Sequence, residues 1–368
     1  MDINNYETKI KILKSFLASY QKRHLYKDGT PMTNTFLITN RCNLKCAHCF
    51  NHLSSNNMKE LTIDEYEKIS QSMSFFASAF FCGGETFIRE DLAKIVEIFR
   101  KNNNIQWASA TTNGTLPENI IPQLIEICLQ DKNKRFTINF SLDGFKEQHD
   151  IIRGKGVYDK CISTILEVKK IREKYKNLDI GVVTAMSTIN EYYLSDFFEY
   201  VAETLSPQVI NLLLVRQSPR AGVELKNIDI KNYKKATNKL LELHKQGKNG
   251  NLENPLSEIP FAFYRYIEKT INLGKRTFQC YAGRHGMVMR ADGEVNVCEV
   301  LNDKGCTSNP MTIGNIRDYN YNFMDLWNSE EALEVKKWVN RADCCEKCTH
   351  ETEGLLPSIY FEPNFFLD

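Results

Sequence analysis

The chain reads as an α/β fold built on parallel strands, and three observations predict it. From Thr33 onward, strand-forming runs alternate with helical periodicity through six repeats. Each helical stretch is long enough to return the chain across a sheet as a right-handed crossover. The residues suited to chemistry follow the strand-like runs rather than precede them, so cofactor and substrate should meet at the carboxyl ends of the strands.

The elements follow in order. Tyr6, Ile10, Leu13, Leu17 and Tyr20 recur at spacings of three and four, which predicts an amphipathic helix within residues 1–30, packed on the core. Strands are expected at 33–39, 75–81, 105–110, 136–141, 180–185 and 209–215. Helices are expected at 62–73, 92–101, 120–130, 157–176 and 192–205, the first opened by a capping box of Thr62 with Glu65. This gives a main domain over 31–230. A helical link over 231–279 follows, with an exposed stretch rich in Lys, Asn, Gly and Pro at 245–258 and a helix at 261–273. A cysteine-rich segment over 280–350 and a tail over 351–368 complete the chain. The Asp292-Gly293 turn, flanked by alternating apolar residues, predicts a hairpin over 288–297 that brings Cys298 back toward Cys280.

Composition narrows the function classes. The 368 residues suffice for a sizeable core, and 42% hydrophobic with 25% charged residues is ordinary for a globular chain. With 47 basic and 46 acidic side chains the net charge is +1, so nothing predicts binding to nucleic acid or to anionic lipid. The opening MDINNYETKIKIL lacks the apolar core of a signal peptide, and no run of about 18 apolar residues occurs. A cytoplasmic, non-membrane protein is expected. Its twelve cysteines are then better read as ligands and buried thiols than as disulfides.

The first cysteine group is ITNRCNLKCAHCF, with Cys42, Cys46 and Cys49 on one loop after the first strand. Three thiolates turned toward one point suit three irons of a 4Fe-4S cube and leave the fourth open. A zinc site completed by His48 or His52, or a redox-active thiol cluster, are the alternatives. After the second strand stands Gly83-Gly84-Glu85, where glycines permit close backbone approach and a carboxylate can accept from an ammonium. Ser141 and Asp143 end the fourth strand, within reach of hydroxyl groups, and Arg153-Gly154 follows. Thr112-Asn113-Gly114 and Asn190 also end strands, where turn chemistry explains them equally well. Cys128 and Cys161 share helix faces with apolar residues and read as small buried hydrophobes.

The order of these motifs resembles the radical S-adenosylmethionine (SAM) superfamily. That resemblance implies a partial (β/α)6 barrel of the TIM type, with a 4Fe-4S cluster on Cys42, Cys46 and Cys49 whose unique iron is chelated by SAM. It further implies that the Gly83-Gly84-Glu85 segment holds the SAM amino group, that Ser141 and Asp143 meet the ribose, and that Arg153 faces the SAM carboxylate. His48 would lie near the adenine. The implied chemistry is reductive cleavage of SAM to methionine and a 5'-deoxyadenosyl radical that takes a hydrogen atom from the substrate. The electron would come from a reduced flavodoxin- or ferredoxin-type donor.

The later cysteines resemble the SPASM and twitch extensions of that superfamily, small α+β domains with auxiliary 4Fe-4S clusters. Cys280, Gly293 and Cys298 match the opening of the pattern, and Cys345 and Cys348 supply a C-x2-C pair. No cysteine follows Cys348, which points to the shorter twitch form with one auxiliary cluster on Cys280, Cys298, Cys345 and Cys348. Cys344 and Cys306 are substitutes for one ligand, and a structural zinc is the alternative for the site. Glu299 is a candidate base, the other reading being a solvated hairpin glutamate. The expected reaction is oxidative modification of a peptide or protein side chain, as a thioether or carbon-carbon crosslink. Dehydrogenation or epimerisation of a small molecule such as an aminoglycoside precursor is the second expectation, and a non-catalytic metal-binding scaffold the third. A leader-peptide recognition domain would need far more than the roughly 30 residues before the first strand.

Overall fold

The computed structural model describes residues 29–51, 59–216, 218–250, 259–299 and 312–360. The helix expected within residues 1–30, His52, most of the 245–258 stretch, Cys306 and the end of the tail lie outside these residues.

Six strands form where alternation and β-branched content predict them: β1 (Thr33–Thr39), β2 (Ser78–Gly83), β3 (Trp107–Thr112), β4 (Arg135–Ser141), β5 (Leu178–Met186) and β6 (Val209–Leu214). All five neighbouring pairs among them are parallel. The crossovers carry helices α1 (Ile63–Ser72), α2 (Leu92–Asn103), α3 (Pro117–Gln130), α4 (Lys146–Arg153), α5 (Val157–Lys174) and α6 (Leu194–Tyr200). Thr62 caps α1 as expected: its side chain accepts from the Glu65 N–H while the Glu65 carboxylate accepts from the Thr62 N–H. Strand order is β6-β5-β4-β3-β2-β1 and continues beyond β1, so the sheet has two edges and is a barrel left open.

Side-chain alternation gives the sheet two different faces. Phe36, Phe81, Ala108, Phe136, Ile138, Phe140, Ile180 and Val182 point toward the helices and are at most 3% exposed. Phe36 stacks on Phe81 at 5.6 Å between ring centroids and meets Phe99 of α2 at 4.6 Å. On the opposite register Phe80, Cys82, Thr111, Thr137, Asn139 and Asn211 are half-buried, while Thr35, Leu37, Ser109 and Ser141 are buried. The concave face is therefore lined mainly by polar side chains and keeps access to solvent.

After β6 come α7 (Ile230–Lys245) and α8 (Ile259–Leu273), within the stretch read from sequence as a helical link. The hairpin follows as β7 (Gly286–Met289) and β8 (Glu294–Asn296), paired Val288 to Asn296 and Met289 to Val295. Sequence periodicity does not reveal where it docks. β7 pairs parallel with β1, Thr33 to Gly286 through Phe36 to Met289, and β9 (Thr312–Asn315) closes the row. The cysteine-rich region thus extends the barrel sheet to nine strands. Helices α9 (Phe323–Trp327), α10 (Glu330–Trp338) and α11 (Asp343–Glu346) complete it. Arg317 Nε donates to Glu65 Oε1 of α1 at 2.8 Å and pins the region to the barrel. No described helix is long and apolar enough to cross a membrane.

Candidate functional site

Cys42, Cys46 and Cys49 sit on the loop after β1, at the carboxyl end of the sheet, and none of the three is in a disulfide. Neighbouring segments hold the loop through its backbone. Gly84 N donates to Thr39 O at 2.7 Å and Glu85 N to Arg41 O at 2.8 Å. Ala47 N donates to Ile152 O at the end of α4, and Arg220 N and Ala221 N after β6 donate to Cys49 O and Ala47 O. Asn113 Nδ2 donates to Asn43 Oδ1 at 2.9 Å. Ends of four strands or helices thus set the direction of the three thiols.

The glycines after β2 serve a different partner from the expected ligand. A Cβ on Gly84 would sit 2.1 Å from Arg41 O, and one on Gly83, at φ +131°, would sit 2.2 Å from Thr39 O. Their bareness lets the chain's own cysteine loop pack against β2. Glu85 is buried, and its carboxylate accepts from Thr112 Oγ1 at 2.7 Å, Asn113 N at 2.7 Å and Phe87 N at 3.2 Å. Burial pushes its pKa up against those donors. A carboxylate has about four acceptor directions, so one remains on Oε2.

Asp143 departs from expectation. It is 0% exposed, its Oδ1 accepting from Ala185 N at 2.9 Å and its Oδ2 from Arg153 Nε at 2.6 Å. In this structure the enclosed carboxylate holds Arg153 and the Ala185 N–H. Asn190, unexplained by sequence, holds the same turn by donating to Asp143 O at 2.7 Å and Ala185 O at 2.9 Å. Ser141 lies on the concave register of β4, 8% exposed. Arg153 also points Nη1 at Cys46 Sγ, 3.9 Å away, and Nη2 at His48 Nε2, 3.5 Å away. Burial lowers the His48 pKa to about 4, so the ring is neutral near pH 7. Cys128 and Cys161 are buried among apolar residues, as expected.

The second cysteine group converges as the hairpin predicted. Cys280, Cys298, Cys345 and Cys348 line one small cavity together with His350, and none of the four is in a disulfide. Cys344 does not line it. Asn340 clamps Cys280 by accepting from its N–H at 3.2 Å and donating to its carbonyl at 3.1 Å, while Arg276 Nη1 donates to Cys345 O at 3.0 Å. Four soft donors around one enclosed space suit a fully ligated iron-sulfur cluster or a metal.

Between that cavity and the concave face lies a buried charged group that sequence reasoning largely missed. Glu299 is 9% exposed rather than solvated, with Oε2 3.9 Å from His350 Nε2. His350 hydrogen-bonds through Nε2 to Glu353 Oε2, and its backbone N–H donates to Cys348 Sγ at 3.4 Å. Arg216, just past β6, pairs with Glu351 at 3.3 Å. Burial, then the mutual repulsion of Glu299 and Glu353, pushes the Glu299 carboxyl upward; burial is also the main cause of the rise at Glu353. Three separate segments supply these side chains, and the one hint in sequence was the dense His-Glu-Thr-Glu run two residues beyond Cys348.

Comparison with known proteins agrees with this geometry. Residues 36–199 match the family model of the radical SAM superfamily, and residues 280–349 match SPASM, an iron-sulfur cluster-binding domain. The chain is 24% identical over 332 residues to a cysteine-type anaerobic sulfatase-maturating enzyme of Clostridium perfringens, covering 83% of each. It is 25% identical over 255 residues to an Fe-coproporphyrin III synthase of Methanosarcina barkeri, covering 67% of this chain and 59% of that one. Among solved structures, anSMEcpe with bound AdoMet and Cp18Cys peptide aligns at TM-score 0.57 and 20% identity, over 91% of this chain and 97% of that one. Streptococcus suis SuiB bound to precursor peptide SuiA aligns at TM-score 0.61 and 13% identity, over 91% and 74%. The expected cysteine motif, the open parallel barrel and the two matched regions converge: the chain belongs to the radical SAM superfamily and carries a C-terminal SPASM domain.

Proposed function

We propose that this radical SAM enzyme oxidatively modifies a peptide or protein side chain, forming a thioether or carbon-carbon crosslink. One observation carries the reading: Glu299 stands between the four-cysteine cavity and the polar concave face, buried, and one residue from the ligand candidate Cys298. Sulfatase maturation and a bound precursor peptide, named for two of the similar proteins, support a peptide substrate.

Cys42, Cys46 and Cys49 would hold the first 4Fe-4S cluster, and Cys280, Cys298, Cys345 and Cys348 a second. When bound, the first cluster supplies the electron that cleaves SAM to methionine and the radical that abstracts a substrate hydrogen atom. The chain's own residues do the rest. Glu85 would hold the SAM amino group through its remaining acceptor direction, on the turn whose bare Gly83 and Gly84 seat the cysteine loop. Ser141 meets the ribose, neutral His48 offers an aromatic face for the adenine, and Arg153 meets the SAM carboxylate. Glu299 would take the proton that the oxidised substrate gives up. An upward-shifted carboxyl suits a base working near neutral pH. A flavodoxin- or ferredoxin-type protein would supply electrons, in the reducing cytoplasm that free cluster ligands require.

The half-buried stripe of Thr111, Thr137, Asn139 and Asn211 on the concave face favours a second reading. A small hydroxyl-rich molecule, such as an aminoglycoside precursor, could be dehydrogenated or epimerised there.

The test is anaerobic reconstitution with iron and sulfide, iron counting, and assay for 5'-deoxyadenosine with SAM and dithionite. Wild type should bind about eight irons per chain. The triple alanine variant at Cys42, Cys46 and Cys49 should keep about four and make no 5'-deoxyadenosine. Bound zinc without SAM cleavage would overturn the reading.

A further inference from the structure

Arg153 spends its guanidinium in three directions. Nε donates to Asp143 Oδ2 at 2.6 Å, Nη1 donates to Cys46 Sγ at 3.9 Å, and Nη2 lies 3.5 Å from His48 Nε2. Its side chain is 10% exposed. The fork is braced on every side. Asp143 is fixed by Ala185 N, by Asn190 on its carbonyl, and by His149 Nδ1, which accepts from its N–H at 3.1 Å. The end of α4 that carries Arg153 is itself tied to the cysteine loop through Ala47 N and Ile152 O.

A donor to a ligand sulfur stabilises the extra electron of a reduced iron-sulfur cluster, and so does a nearby cation away from bulk water. Both effects raise the reduction potential. Resting on the reading of Cys42, Cys46 and Cys49 as a 4Fe-4S centre, we propose that Arg153 is a positioning residue that sets this centre's reduction potential through Cys46, with Asp143 holding it there. The role is separate from any contact between Arg153 and SAM, and it acts before SAM binds.

The experiment is an EPR-monitored redox titration of the reconstituted full chain without SAM, in wild type, R153K and R153Q. The triple alanine variant at Cys42, Cys46 and Cys49 identifies which signal belongs to which centre. R153Q should lower the reduced-to-oxidised ratio of the first centre about tenfold at fixed potential, a midpoint shift of about 59 mV for one electron. R153K keeps the charge but loses the planar fork, so its shift should be smaller and of the same sign. The auxiliary signal should stay still in both. A first-centre midpoint that moves less than threefold in ratio, or an auxiliary signal that moves equally, would overturn the proposal. If R153Q fails to take up iron, R153K decides by the same threefold criterion. Absence of any first-centre signal in wild type would instead sink the underlying cluster reading.

Discussion

Thr35 Oγ1 donates a 2.6 Å hydrogen bond to Glu353 Oε1, joining the first strand of the barrel to a helical turn 318 residues later. Both residues are at most 3% exposed, and the other Glu353 oxygen bonds His350, which reaches Cys348 through its backbone N–H. The bond links the concave face to the edge of the auxiliary cavity. Replacing Thr35 with Val keeps the shape and removes one donor from a buried carboxylate. T35V should cost about 1–3 kcal/mol, read as a lower midpoint in anaerobic denaturant unfolding; an unchanged midpoint would deny the contact any structural weight.

On the proposed mechanism, a change at Glu299 separates radical generation from product formation. E299Q preserves volume and hydrogen bonding but cannot accept the proton. Product yield should fall at least a hundredfold while 5'-deoxyadenosine from SAM continues, both followed by liquid chromatography and mass spectrometry. Unchanged product would remove Glu299 from the mechanism.

Gly84 tests how the first cysteine loop is held. G84A drives a Cβ to within 2.1 Å of Arg41 O and 2.9 Å of Asn40 O, atoms of backbone that cannot step aside cheaply. Iron content should drop from about eight toward about four per chain, with far-ultraviolet circular dichroism nearly unchanged. Full iron loading would show that the loop tolerates displacement.

The Glu65–Arg317 pair predicts a pH dependence of stability. Burial alone would raise the Glu65 pKa, but Arg317, the Thr62 N–H and the Tyr321 hydroxyl outweigh it and hold the carboxyl at about 2 against an ordinary 4.5. A depressed folded-state value means that this contribution is present above pH 4.5 and fades as pH falls toward 2. R317M should therefore cost about 1–3 kcal/mol at pH 7 and little at pH 2.5. Equal cost at both values would contradict the linkage.

The parts of the fold legible in sequence are those with a local cause. The Thr62–Glu65 capping box is written within four residues, and β1 falls at Thr33–Thr39 where alternation predicts it. Cys42, Cys46 and Cys49 share one loop, and the Asp292-Gly293 turn explains how Cys298 returns toward Cys280. What the strand-end position of Asp143 does not reveal is that its side chain is enclosed and paired. Its burial depends on Arg153 arriving from the end of α4.

Sequence by itself determined the alternating elements, the carboxyl-end placement of the motifs, and the grouping of cysteines into an early and a late cluster, since spacing and period are properties of neighbouring residues. Only the tertiary structure decided that β7 pairs parallel with β1, making barrel and auxiliary region one sheet. It also brought Arg216, Glu299, Glu353 and Thr35 together and turned Arg153 toward Cys46. These are contacts between segments far apart in the chain. They depend on which faces pack and which charges must find partners once water is excluded, and no local pattern records that.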